Sequence, residues 1–468
     1  MLDHGAPLHS RRDILRLGLS AAALAAMGTR LRGAAAPAAP RRRPPNILML
    51  VADDMRHDAI RALGDQVVQT PHLDRLAAGG MAFTGAHHMG GKFSAVCVPT
   101  RGSLLTGCNV FRAMVDPADN IMAPARVTLG QHLRSRGYRT HCVGKWHNDF
   151  ASLNRTFESG EAIFLRGLNQ DQYRMRVHHY DPTGRYGRRT AYHARKFSTD
   201  FLADHAVDFL GRHSGEQPFF LYTAFTAPHD PRTPPKAFAD LYRPADMPLP
   251  PNFLPQHPFD NGEMHVRDEE LAPHPRTPER IRAEIAAYYG MISSLDAGIG
   301  RILAALDASG HADNTIVVFT ADHGLAVGQH GLLGKQNLYD HTLRVPLMLR
   351  GPGIPAGARS GALAYSWDLF PTLCGLAGQP VPAGLDALNL EPLLRSPRAA
   401  HRSGVHGLYR DFQRSAKDAR WKLIEYAVNG QRHTQLFDLA NDPWERENLA
   451  GQAAAAGERD RLRAQLIA

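Results

Sequence analysis

Cysteine is scarce: 468 residues carry only four. A chain this long with so few thiols has no disulfide framework, so a packed core must hold it together. Long apolar runs are also missing, and no uncharged apolar run approaches the roughly 18 residues that a membrane-spanning helix needs. Positive charge is scarcer than the net +9 suggests. Residues 1–43 hold eight arginines against two aspartates, so six of the nine charges lie there. The remaining body is only weakly basic and gives no electrostatic footprint for nucleic acid. No internal repeat is visible.

The N-terminal arginines have a pattern of their own. Ser10-Arg11-Arg12 precedes a short Ala-rich apolar run, and a Gly- and Pro-rich tail follows to about Pro45. This resembles a bacterial twin-arginine export signal, with a disordered basic arm as the alternative. It predicts a periplasmic or secreted protein, with residues 1–40 as signal and linker and no transmembrane segment in the mature chain.

Short apolar runs bounded by charges or turn residues read as strands over 46–52, 140–144, 219–225, 315–321 and 345–349. Several are apolar on both faces, as in strands buried between helices. The clearest helical pattern runs from about Pro278 to Ser309, where Ile285, Tyr288, Ile292, Leu295, Ile299, Ile302 and Leu306 recur at spacings of three and four. Such alternation predicts an α/β fold, a large mixed and mostly parallel sheet sandwiched by helices, over residues 45–375. Beyond that, 404–409, 421–426 and 435–439 read as strands, with an Asn429-Gly430 hairpin turn. A small antiparallel sheet in a C-terminal subdomain, residues 376–468, is therefore expected. Two stretches carry little regular pattern, the Arg- and His-rich 150–195 and the Pro- and His-rich 228–278. Both are expected as walls or lids of a site.

Chemistry gathers at the strand ends. The first strand ends in Asp53-Asp54 and another in Asp322-His323. In an open α/β sheet such positions face the ligand crevice. Adjacent carboxylates away from water need a cation, although a helix cap or solvated turn would also explain either pair alone. Other strand ends supply Lys145 with His147, and His229, while Lys335 follows the second acidic pair. Together these groups suit a hard cation and an anionic tetrahedral group whose oxygens need several donors.

Cys97-Val98-Pro99-Thr100-Arg101, followed by Leu105-Thr106-Gly107, resembles the signature of the type I, formylglycine-dependent sulfatases of the alkaline-phosphatase-like superfamily. The resemblance extends through NILMLVADDMRHD (46–58), CVGKWH (142–147), TAPHDP (226–231), the long run from Val317 to Gly353, WDLFPTLCGLAG (367–378) and LFDLANDPWERENLA (436–450). It implies that a maturation enzyme converts Cys97 to Cα-formylglycine, whose hydrate attacks sulfur and then expels sulfate by re-forming the aldehyde. It further implies a divalent metal, usually calcium, held by Asp53, Asp54, Asp322, His323 and the modified Cys97. Arg101 and Lys145 would offset negative charge, and His147 would hydrogen-bond the hydrate. Lys335 and His229 would hold sulfate near the leaving oxygen, with His229 as general acid. Arg101 lies one turn after Cys97 on a helix expected to start near Pro99.

Three departures stand out. Many members carry Asn where this chain has His323, which bears on the choice of metal. Thr100 replaces the commoner serine. Cys108, Cys142 and Cys374 have no evident role and read as buried thiols. The ten Arg and His residues between Arg166 and Arg195 read either as a cationic wall for a sulfated glycan or as a solvated loop. The expected substrate is a sulfated small molecule or carbohydrate. The alternatives are a phosphonate monoester or phosphodiester hydrolase of the same superfamily, an inactive sulfated-glycan-binding protein, and an unmodified cysteine hydrolase, for which the usual Cys–His contexts are missing.

Overall fold

A computed structural model describes residues 43–92, 95–115 and 120–467. The expected export signal at 1–40 lies outside the described residues. A ten-stranded sheet organises the body. Edge to edge it runs Ala358–Ser360, Met81–Phe83, Leu347–Arg350, Thr315–Ala321, Asn46–Asp53, Phe219–Pro228, Arg139–Lys145, Ser159–Phe164, Arg176–His178 and Ala191–His193. The five strands from Thr315–Ala321 to Ser159–Phe164 are mutually parallel, and antiparallel pairs flank them on both sides.

Alternation along the central strands divides the core in two. Leu48, Leu50 and Ala52 face one cluster, while Ile47, Met49 and Val51 face the other. Val317 and Phe319 against Ile316 and Val318 repeat the division. A strand buried on both faces reads as continuous hydrophobic sequence for this reason. The first cluster packs under the helix Pro278–Ala308, whose predicted apolar stripe from Ile285 to Leu306 is buried there. Thr277 caps that helix by accepting from the Arg280 N–H, and Pro278 takes the first turn, where its missing N–H costs nothing. The second cluster includes residues of Cys97–Thr106, Leu129–Arg134, Phe150–Thr156 and Leu369–Leu376. Among the described residues no helix is long and apolar enough to cross a membrane.

The C-terminal sheet has four antiparallel strands, Val405–Tyr409, Gln413–Lys417, Trp421–Val428 and Gln431–Asp438. Its two-residue turn, with φ of 50° at Asn429 and 77° at Gly430, matches the right-handed twist of the flanking strands. Sequence reading missed Gln413–Lys417, whose polar residues hide its pairing, and a fifth strand supplied from far away. Gly90–Gly91 pairs in parallel with Leu408 and Tyr409, tying this sheet to the segment that leads into Cys97. Lys422 spans the junction as well, 2.8 Å from Asp340 Oδ1 and 2.7 Å from Glu445 Oε1.

Three expectations need correction. The helix expected near Pro99 begins at Cys97 itself. The strand expected over 345–349 is Leu347–Arg350, because Val345 N donates instead to the Ala86 carbonyl. The stretch 150–195 is not patternless, since it holds the helix Phe150–Thr156 and the strands Ser159–Phe164, Arg176–His178 and Ala191–His193. The last two form a short edge ladder of three residues each, too brief for periodicity to reveal.

Candidate active site

Register brings the expected residues together. Asn46–Asp53 and Thr315–Ala321 pair with Ala52 opposite Ala321, so Asp53-Asp54 and Asp322-His323 leave the sheet at one level. Asp54 takes a left-handed φ of 63°, and its N–H donates to Asp322 Oδ1 at 3.2 Å, locking the two ends together. Arg139–Lys145 and Phe219–Pro228 end beside them and deliver Lys145 and His229. Gly144, at φ 89°, lies so close to the Ala224 carbonyl that no side chain fits there, and this lets the strand approach its neighbour just before Lys145.

Arg101 organises the floor. Its Nε donates to Asp322 Oδ2 at 3.0 Å and its Nη1 to the Lys145 carbonyl at 3.0 Å and the Tyr222 hydroxyl at 3.3 Å. Lys145 Nζ bonds Asp53 Oδ2 and, at 2.9 Å, the Gly167 carbonyl. Lys335 Nζ donates to Asp54 Oδ1 at 2.8 Å and lies 3.8 Å from Cys97 Sγ. His323 Nε2 sits 3.2 Å from the same sulfur. His229 Nε2 is 3.7 Å from Asp54 Oδ2, and its Nδ1 meets the Asp230 carbonyl at 2.9 Å. His147, at φ 63°, presses its ring against Gly167, where a larger residue would collide. Its buried Nδ1 has no protein partner among the described residues.

Electrostatics point to a cation. Burial pushes the Asp53 carboxyl up to about 7 despite Lys145, and neighbouring Asp322 adds to the rise. Its Oδ1 is buried without a hydrogen-bond donor. Burial also acts to raise Asp54 and Asp322. His229 and Lys335 outweigh it at Asp54, and His323 and Arg101 at Asp322, so both stay below the usual carboxylate range. Burial would likewise raise the Cys97 thiol, yet Lys145, Lys335 and His323 bring it down to about 6. At His323 burial is overcome by Asp322 and the Cys97 sulfur, and the imidazole rises to about 9. Burial lowers His229 and, with Lys145 beside it, lowers His147 well below its ordinary value. An orphaned, reluctantly ionised carboxyl facing other donors is what a dication would satisfy. One ligand atom each from Asp53, Cys97, Asp322 and His323 lie within 4.8 Å of one another, so these four fit a metal. Asp54 stands outside that group, turned toward Lys335 and His229.

Above this floor opens a cavity of about 220 Å³, lined by Cys97, His147, His229, Lys335 and the previously unsuspected Arg267 and Gln336. From the 166–195 stretch only Gly167 and Leu168 line it, so of the two readings of that stretch the cationic wall is not part of this cavity. Arg267 comes instead from the Pro- and His-rich stretch, paired with Asp230 and with Asp268 at 2.6 Å. Tyr222 was also missed, because a buried strand tyrosine gives no sign of serving an arginine. Cys108, Cys142 and Cys374 are buried free thiols, as expected.

Comparison with known proteins agrees with this geometry. The sulfatase family model matches residues 45–379, and a model for the C-terminal part of N-sulphoglucosamine sulphohydrolase matches 328–468. An arylsulfatase of Clostridium perfringens is 28% identical over 459 residues, covering 90% of this chain and 94% of that one. A solved structure described as a complex with its substrate D-glucosamine-2-N,6-O-disulfate superposes with a TM-score of 0.76 at 23% identity, covering 91% and 97% of the two chains. A phosphonate monoester hydrolase of Agrobacterium radiobacter gives 0.72 at 25% identity, covering 90% and 95%. Fold, strand-end residues and family match coincide over most of the chain, which belongs to the sulfatase family, hydrolases of sulfuric esters.

Proposed function

We propose that this protein hydrolyses a sulfate monoester of a small molecule or carbohydrate to an alcohol and inorganic sulfate, with Cys97 matured to Cα-formylglycine beside a bound divalent metal. One observation carries this reading. Cys97 meets Asp53, Asp322 and His323 at the floor of the same cavity that His147, His229 and Lys335 line. A hydrated aldehyde at position 97 would supply the hydroxyl nucleophile, and a metal held by Asp53, Asp322 and His323 would stabilise its negative charge.

The rest of the chemistry falls to this chain's side chains. Arg101 fixes the carboxylate of Asp322 and, through the Lys145 carbonyl, the end of the neighbouring strand. Lys335, 3.8 Å from Sγ, is placed to take a sulfate oxygen. The Asp230 carbonyl holds the Nδ1 proton of His229, which leaves Nε2 to carry a proton to the departing alcohol oxygen. His147 offers a neutral imidazole, kept so by burial, to a hydroxyl on residue 97. The Cys-Val-Pro-Thr-Arg segment would be read by a formylglycine-generating enzyme before folding, and the twin-arginine pattern supports export of the folded product.

A second reading, hydrolysis of phosphonate monoesters or phosphodiesters, draws on the likeness to the phosphonate monoester hydrolase. Parallel assays of the matured protein on nitrophenyl sulfate and on phenyl phosphonate esters separate the two. Faster turnover of the sulfate ester is expected, and turnover of phosphorus esters alone would reverse the assignment. Mass spectrometry of the peptide containing Cys97 tests the nucleophile. Aldehyde in place of thiol is expected, whereas an active protein with only thiol there refutes the mechanism.

A further inference from the structure

Apart from the strand-end group, three buried side chains from distant parts of the chain converge. His330 and His341 lie in the run after Asp322-His323, and Glu445 reaches them from beyond the last strand of the small sheet, Gln431–Asp438. One ligand atom from each lies within 4.8 Å of the others. Both ring nitrogens of His341 are buried, with no hydrogen-bond partner among the described residues. An imidazole with neither nitrogen satisfied is costly to bury, and the vacancy asks for a ligand. His330 and Glu445 take left-handed φ values of 53° and 57°, uncommon for residues with side chains and a recurrent mark of ligand clamps.

Their surroundings leave lone pairs for a cation. The Trp444 carbonyl accepts from Asn252 Nδ2 at 2.8 Å, which fixes that amide nitrogen beside His330 Nε2, 3.0 Å away. A donor in that place means that Nε2 carries a lone pair, and the amide keeps Trp444 when an ion claims it. Glu445 Oε2 accepts the Asp340 N–H at 2.8 Å and Oε1 faces Lys422 at 2.7 Å, so each oxygen retains a second lone pair. Lys417 and Lys422 are both bonded to Asp340, and Arg344 lies 3.7 Å from it, so the nearby cations are engaged there. Burial lowers His330, and burial with His330, Arg56 and Lys422 nearby lowers His341, so both rings are neutral, the form that ligates. A cavity of about 170 Å³ borders His341 and Glu445 and another of about 580 Å³ borders His330, which gives an ion room to enter and keep a water. Ligand atoms around a tetrahedral zinc stand about 3.4 Å apart, a spacing that small side-chain rotations reach. Two imidazoles and a carboxylate with an open fourth position are a zinc-type set. We propose that His330, His341 and Glu445 form a second metal site, distinct from the strand-end group, which takes zinc or a neighbouring transition dication and staples the segment carrying Glu445 to the main body.

The test reads zinc content and zinc's neighbours. Full-length protein without an affinity tag is stripped with a chelator, dialysed against Zn²⁺ and then against metal-free buffer. Plasma mass spectrometry counts the ion that stays. The unaltered protein is expected to retain one zinc per chain more than His341→Gln, and any zinc at the strand-end group cancels in that difference. Equal retention overturns the proposal. Saturating Zn²⁺ should also raise Tm by about 3 °C or more in the unaltered protein, and this extra rise should vanish in His341→Gln. An identical rise in both would remove the staple. X-ray absorption of the zinc-loaded unaltered protein decides the matter even if the variant fails to fold. The strand-end group offers one imidazole, His323, and the new site offers two. A mean of about 1.5 to 2 imidazoles per zinc is therefore expected. A mean of one or fewer overturns the second site and leaves the strand-end reading untouched.

Discussion

The floor and the rim of the cavity are built in different ways. Asp53, Asp54, Arg101, Lys145, Asp322 and His323 form the floor, and all are buried. Each stands at a strand end or on the helix beginning at Cys97, and nearly every charge there meets its opposite. Strand register fixes such groups to within fractions of an ångström, which charge stabilisation at a reacting centre requires. The rim comes from loops. Gly167, Leu168, Val266, Arg267 and Asp268 reach the cavity from segments without regular structure, and the Arg267 side chain is 44% exposed. Chemistry is thus set where backbone pairing leaves little freedom, and selectivity is left to segments that can change without disturbing the sheet.

Substitutions at the floor should therefore abolish turnover, and those at the rim should only reshape it. The largest effect is expected from Cys97→Ala, which removes the proposed nucleophile outright. Turnover of nitrophenyl sulfate should fall by about 10⁴-fold or more, with the circular dichroism spectrum unchanged. Residual activity within tenfold of the unaltered protein would place the nucleophile elsewhere. His229→Gln comes next. Loss of a general acid costs about 10²- to 10⁴-fold, and the cost depends on how badly the leaving group needs a proton. Alkyl sulfates should suffer most and nitrophenyl sulfate least. An equal loss on both would reassign His229 to sulfate binding.

The sequence showed much more of the floor than of the rim. Asp53-Asp54 and Asp322-His323 follow apolar runs that read as buried strands, and two such ends together made a shared crevice the expectation from fold class. The resemblance then supplied Cys97 as the centre. What it could not show was which oxygen faces which partner, and Asp54 turned toward Lys335 and His229, outside the four residues whose atoms could share a metal ion. Arg267 was invisible because its loop has no period, and its partner Asp230 is distant in sequence. The small sheet was only partly readable, since Gly90–Gly91 joins it from more than 300 residues away and glycine is a poor strand former.

Arg267→Ala probes the boundary between the two regions and should have the smallest effect. The guanidinium is half in water, where a charge pair contributes about 0.2–1 kcal/mol, so its loss should change KM by only a few-fold. The rise should be larger for a substrate with a second anionic group than for nitrophenyl sulfate, and kcat should hold nearly constant. Arg267→Lys should restore part of the difference, because the positive charge returns without the bidentate grip. Arg267 also holds Asp230, whose Oδ1 lies 3.2 Å from His229 Nδ1. A fall in kcat that tracks leaving-group basicity, as for His229→Gln, would show the arginine acting through Asp230 on the proton donor. The rim would then extend into the chemistry, and the division between floor and rim would have to be redrawn at His229.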